Sequence, residues 1–210
     1  MKILALSDAL IPFIYSPQVR SRFSDVKLLI GCGDLPYYYL EYVYDSLCAP
    51  LYFVRGNHDE LIEYGAAGQR THPHGGIDLH RRTYCCQGLL LAGVEGSLRY
   101  RPGVFQYTQT EMWMQIVRLA PRLLLNRLRY GRYLDIFVSH APPAGVHDGT
   151  DLPHRGIQAF RWLIEVFKPA YFFHGHIHIH RPDIPYQTQV AQTRVINAFG
   201  FREVEIELKP

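Results

Sequence analysis

Short apolar runs that stop abruptly at polar residues recur along this chain. Residues 2–6 run into Ser7-Asp8, residues 26–31 lead to Gly33-Asp34, and Leu51–Val54 stops at Arg55-Gly56-Asn57-His58-Asp59. Two more follow, Leu134–Val138 ending at Ser139-His140 and Ala170–Phe173 ending at His174-Gly175-His176. Runs of this length bounded by turn residues predict buried strands. Five predicted strands thus finish in residues of metal-ligand type. An open α/β sheet presents its functional groups at the carboxyl ends of its strands, so the repetition predicts one shared site.

Between these strands the pattern predicts helices over Tyr37–Leu47 and Gly156–Phe167, which suit crossovers between parallel strands. Residues 193–199 and 202–208 read as extended and are expected to pair in a second sheet. The stretch from Met112 to Tyr133 has no acidic residue and carries Arg118, Arg122, Arg127, Arg129 and Arg132. Its apolar residues Ile116, Leu119, Ala120, Leu123 and Leu124 keep helical spacing, and Pro121 is expected to start a second helix or kink a single one. This reads as an amphipathic helical insert over about residues 108–132 with a solvated basic face. A lid or docking surface for an anionic substrate is the sharper alternative. With no repeat or low-complexity linker, residues 1–210 are expected to form one domain.

At 210 residues, 48% hydrophobic and 20% charged, the chain has the composition of a soluble globular protein. Its net charge of +3 gives no reason to invoke a nucleic acid or a membrane as partner. Cys32, Cys48, Cys85 and Cys86 lack CxxC spacing and are expected to be reduced, mostly buried thiols. The first apolar run is too short for a signal peptide and no stretch approaches a membrane span, so the expected location is the cytoplasm, with no membrane partner. Histidine stands out with 11 copies, four of them at His174, His176, His178 and His180.

Phosphate esters resist hydrolysis because their anionic oxygens repel hydroxide. Two divalent cations roughly 3.5–4 Å apart neutralise that charge and lower the pKa of a bound water. Such a centre needs a bridging carboxylate, further carboxylate and imidazole ligands, and an acid for the leaving group. In order, Asp8, Gly33-Asp34, Gly56-Asn57-His58-Asp59, Ser139-His140 and Gly175-His176-Ile177-His178 resemble the five signature blocks of calcineurin-like metallophosphoesterases, across residues 3–180.

That resemblance implies a four-layer α/β/β/α sandwich, two mixed sheets flanked by helices. It also implies two divalent ions (manganese, iron, zinc or nickel) and a small phosphodiester or phosphomonoester substrate attacked by a metal-bound hydroxide. Asp34 would bridge both ions; Asn57, His140 and His176 would complete the second ion's shell; Asp8 and His178 would join Asp34 on the first. His58 would hydrogen-bond the phosphoryl oxygen or protonate the leaving group, with Asn57 also at the substrate. Taken singly, each residue has a plainer reading. Asp8 and Asp34 could cap helices, His140 could be satisfied by backbone, and His176 and His178 could alternate along a surface strand. His174 and His180 match no ligand position and are expected beside the site or at the surface.

One block departs from the pattern. The family's first block is Asp, any residue, then a ligating His, but here it reads Asp8-Ala9-Leu10. Loss even of a residue behind the ligands lowers affinity or activity about 10–100-fold, so loss of a ligand should weaken the first ion's site at least that much. Water or a loop residue fills the position, or the first site is empty under normal metal supply, or the chain is a weak or inactive binding or scaffold protein of this fold. Because His58 and every ligand of the second ion are retained, catalysis is the favoured expectation.

Overall fold

The apolar runs assemble into two sheets whose central strands are covered on both sides. The structure is a computed structural model that describes residues 1–65, 68–181 and 183–207. One sheet has five strands in the order Gly200–Glu205, Lys2–Ser7, Val26–Gly31, Leu51–Phe53 and Gly76–Asp78; only its first member is antiparallel to its neighbour. The other has six, in the order Gln187–Val190, Thr193–Asn197, Tyr171–His174, Ile136–Ser139, Leu89–Val94 and Thr83–Cys86. Its four central strands are parallel and each edge strand is antiparallel.

Successive side chains on a strand point to opposite faces, and this alternation builds the layers. Ile3, Ala5, Leu28 and Ile30 meet Leu91, Ile136, Val138, Phe173 and Ile196 in an apolar layer between the sheets. Their strand neighbours Leu4, Leu6 and Leu29 pack against Val19 of α1 (Gln18–Arg22) and Tyr39, Leu40 and Val43 of α2 (Tyr37–Leu47). On the far side Leu90, Phe137, Phe172 and Val195 pack against α3 (Gln109–Tyr130) and α4 (Gln158–Phe167). The result is the four-layer α/β/β/α sandwich with two mixed sheets.

Several local expectations are revised. The last two extended segments do not pair with each other. Thr193–Asn197 joins the six-stranded sheet, while Gly200–Glu205 crosses over to lie antiparallel to Lys2–Ser7. Gly200 makes the crossing possible, with a φ of +71° that other residues rarely adopt. Leu208, the end of the expected segment, lies outside the described residues. Pro121 neither starts a second helix nor ends the first, because α3 runs through it. The carbonyl deprived of a donor by the proline ring is that of Val117, an exposed residue within reach of water. Of the cysteines only Cys32 is buried; Cys48, in the left-handed cap of α2, and Cys85, on an edge strand, are exposed. Among the described residues no helix is long and apolar enough to cross a membrane.

Candidate functional site

The site forms where strand ends of the two sheets face each other. Asp8, Asp34 and the loop carrying Asn57 follow strands of the five-stranded sheet, whereas His140 and His176 follow strands of the other. Backbone and carboxylate hydrogen bonds stitch these ends together. The Asp8 amide donates to the Gly33 carbonyl (3.2 Å) and the Gly175 amide to the His140 carbonyl (2.9 Å). The His176 amide donates to Asp8 Oδ2 (2.9 Å) and the His58 amide to Asp34 Oδ1 (2.8 Å). Asp59 Oδ2 accepts from the amides of both Gly56 (2.7 Å) and Asp34 (3.1 Å). Burial and the charge of Asp34 push the Asp59 carboxyl up to about 6.

Asp8, Asp34 and His176 all have positive φ, of 62°, 55° and 66°. Non-glycine residues hold that conformation at a cost of about 1–3 kcal/mol each, and only where surrounding bonds over-determine it. Two glycines are dictated by crowding instead. A Cβ on Gly56 would fall 2.0 Å from Asp34 Oδ1, and one on Gly175 would fall 1.9 Å from Ser7 Oγ.

His140 Nε2 is the point of convergence. It lies 3.0 Å from Asn57 Oδ1, 3.2 Å from Asp34 Oδ2 and 3.1 Å from His176 Nδ1. Atoms sharing one divalent ion at roughly 2.0–2.2 Å stand about 3 Å from one another, so this set has the spacing of a ligand shell. The other ring nitrogens are committed: His140 Nδ1 donates to the Cys32 carbonyl (2.8 Å) and His176 Nε2 to the Pro153 carbonyl (2.8 Å). Those bonds leave His140 Nε2 and His176 Nδ1 as the nitrogens that face the cluster, where each can offer a lone pair when unprotonated. Burial, then the charge of His140, pulls the His176 imidazole down to about 4, so it is neutral. Burial opposes charge on both His140 and Asp34 as well, yet their mutual attraction wins, raising His140 and holding Asp34 to about 2. A proton on His140 Nε2 and a cation therefore compete for the same place.

A second set of donors adjoins the first. The Asp8 side chain is buried, and its Oδ1 has no hydrogen-bond partner among the described residues and faces His178 Nε2 at 3.6 Å. His178, its pKa raised by the contact with Asp8, answers part of that oxygen's need for a partner, and the oxygen and imidazole together are donors of the type a second ion would take. Leu10 lies outside both sets, half-exposed on the wall of an apolar cavity.

The plainer reading of His140 stands in part, since its Nδ1 is satisfied by the Cys32 carbonyl (2.8 Å), whereas those of the other residues meet obstacles. Neither Asp8 nor Asp34 caps a helix, since the N-cap positions of α1 and α2 are Pro17 and Pro36, without side-chain caps. The strand before His176 ends at His174, so His176 and His178 do not alternate along it. His58 is exposed and lines a cavity of about 420 Å³ with Asp34, Tyr38, Asp59 and Glu63. His180 is exposed, whereas His174 is buried against His147, whose Nδ1 lies 2.9 Å from His174 Nε2.

Three features escaped the sequence reading. Arg101 places Nη2 3.4 Å from His58 Nδ1 and has no acidic partner among the described residues, and Tyr100 Oη lies 3.4 Å from Asn57 Nδ2. The pair sits in a loop with no periodicity, so only proximity in space reveals it. Arg55, just before the Gly56-Asn57 turn, is braced by Asp78 (2.9 Å) and Glu95 (3.5 Å). His80 joins that network: Glu95's amide donates to His80 Nδ1 (3.2 Å).

Residues 1–180 match the family profile described as calcineurin-like phosphoesterase. No curated protein matches the chain. Among solved structures, the protein TT1561 of Thermus thermophilus is 16% identical, with a TM-score of 0.62, over 95% of this chain and 89% of that one. A phosphatase from Mycoplasma pneumoniae is 13% identical, with a TM-score of 0.50, over 95% and 72% respectively. At such identities the likeness concerns the fold.

The packing generates two predictions. Gly56→Ala drives a methyl group into Asp34 and should lower affinity for a divalent cation at least about tenfold by calorimetry, with the far-ultraviolet circular dichroism retained. Burial, aided by Arg81, Arg55 and Arg82 and opposed by Asp78, holds His80 down to about 4. An unfolded histidine takes up its proton near 6.5, so the native fold loses stability as pH falls from about 6.5 to 4, by up to about 3 kcal/mol. In denaturant titrations across that window His80→Asn should lose less than the parent; equal losses would exclude His80 as the cause.

Proposed function

Because the chain belongs to the calcineurin-like phosphoesterase family, we propose that it is a metal-dependent hydrolase of small phosphodiesters or phosphomonoesters, acting in the cytoplasm. The single observation that supports this most is the approach of Asp34, Asn57, His140 and His176 to one point, from four separate strand ends.

Asp34, Asn57, His140 and His176 would hold one ion, and Asp8, His178 and a shared Asp34 the other; manganese, iron, zinc and nickel all suit such a mixture of oxygen and nitrogen donors. Bound ions supply neutralisation of phosphate charge and acidification of water. The rest is done by the chain. Asn57 contributes a neutral amide, which keeps added negative charge away from an anionic substrate. Asp34, gripped by the His58 amide, is fixed in orientation. His58 stands at the open face, where it hydrogen-bonds the phosphoryl group and gives a proton to the departing alkoxide. Arg101 beside it attracts the remaining phosphoryl charge. In net terms, water adds across the P–O bond and the alcohol leaves protonated.

Leu10 favours a second reading, a weak or inactive family member that binds rather than turns over. The two readings separate in an assay with metal-stripped protein, bis-p-nitrophenyl phosphate and added manganese. Turnover should appear with the metal, vanish in Asp34→Asn, and fall about 10²–10⁴-fold in His58→Ala. No turnover by the parent chain, or turnover indifferent to both substitutions, would overturn the hydrolytic mechanism. Restoring an imidazole with Leu10→His should bring bound manganese from about one toward two ions per chain and raise activity roughly tenfold or more, read by elemental analysis and the same assay. An unchanged metal content would mean that the position is already served by another group.

A further inference from the structure

Beside the His58 cavity lies a second one of about 260 Å³, walled by Leu10, Ile11, Pro12, Tyr15, Tyr38 and Tyr39. No charged side chain among the described residues lines it. Tyr38 belongs to both walls, so the polar cavity that holds Asp34 and His58 and the apolar one adjoin at a single ring. Leu10, Tyr15 and Tyr38 are 49%, 48% and 44% exposed, which leaves their apolar surface open to a ligand. Buried Tyr39 braces the wall, its hydroxyl accepting from the Ile11 amide (3.3 Å). The rings are already arranged: Tyr15 stacks on Tyr39 with centroids 5.9 Å apart at 28°, and meets Tyr38 edge-on at 5.7 Å and 77°.

We propose that this cavity is a subsite for a flat aromatic group, an aryl or nucleobase ring, carried by the phosphate ester whose phosphoryl group sits by His58. The inference rests on the phosphoesterase reading and names the class of substrate that reading leaves open. Small-molecule sites combine largely apolar walls with a few polar groups at one end, which is the arrangement around Tyr38. A planar ring is the occupant that suits the wall, because preset tyrosine rings gain from edge and face contacts that a flexible chain does not make, and ordering a rigid ring loses little entropy. Leu10 thereby has a role of its own. Where the family's first block carries an imidazole, this chain extends an apolar floor toward the site.

The test is calorimetric titration of the full chain, supplied with manganese, with methylphosphonate, phenylphosphonate and hexylphosphonate. Phenylphosphonate should bind roughly tenfold more tightly than methylphosphonate, and more tightly than hexylphosphonate. Tyr15→Ala should erase that advantage while methylphosphonate binding stays as it was. If the variant fails to fold by circular dichroism, Leu10→Ser, at a half-exposed position, serves in its place. Equal affinities for phenyl and methyl probes overturn the subsite and leave the phosphoesterase reading standing. Preference for the hexyl probe overturns the aromatic assignment in favour of an alkyl chain. A dimer in sedimentation that Tyr15→Ala dissolves, without phenyl preference, assigns the patch to a second copy and overturns the proposal. Phenylphosphonate binding without methylphosphonate binding supports the subsite and counts against the reading beneath it; no binding of any probe sinks both.

Discussion

Asp34 and His140 come from different sheets and meet at 3.2 Å beneath the cavity at the strand ends, and the rest of the rim is arranged around that contact. Burial disfavours charge on either partner alone, so each is tolerable only because the other is there. Neither position can drift without exposing a buried charge, which explains the density of supporting bonds. The Cys32 carbonyl holds one ring nitrogen of His140, and the amides of Asp34 and Gly56 share one oxygen of Asp59. The three left-handed residues at strand ends are likewise held by bonds that cross between loops.

The same contact accounts for the layer order. Two parallel arrays must bring their carboxyl ends to one edge, which face-to-face packing achieves when both expose alternate residues to a common interior. Ile3, Ala5, Leu28 and Ile30 supply that interior from one side, Ile136, Val138 and Phe173 from the other. Helices then cover the outer faces, so each central strand is apolar in both registers and the sequence shows continuous runs instead of alternation.

Those runs made the strands and their polar ends legible, as did the recurrence of ligand-type residues immediately after them. Features governed by contacts between distant segments were not. The destination of Gly200–Glu205 depends on a turn after Asn197 that either sheet could have captured. Pro121 reads as a break because the rule concerns isolated helices, whereas α3 is held by Met112, Ile116, Leu119 and Leu123 against the core on both sides of it. Arg101 and Tyr100 reach the site from a loop with no spacing signal, and His147 finds His174 across 27 positions.

The crossing made by the final strands has a bearing on how the molecule comes into being. Lys2–Ser7, which delivers Asp8, pairs on one side with Val26–Gly31 and on the other with Gly200–Glu205, nearly two hundred positions later. During synthesis its outer edge stays unpaired until Gly200–Glu205 has emerged, and an open strand edge invites wrong partners. So distant a closure slows folding, because the loop must be gathered before the pairing rewards it. A ribosome-bound intermediate in which Gly200–Glu205 has yet to emerge would already hold every cluster residue, yet would present one bare edge to chaperones and to its neighbours.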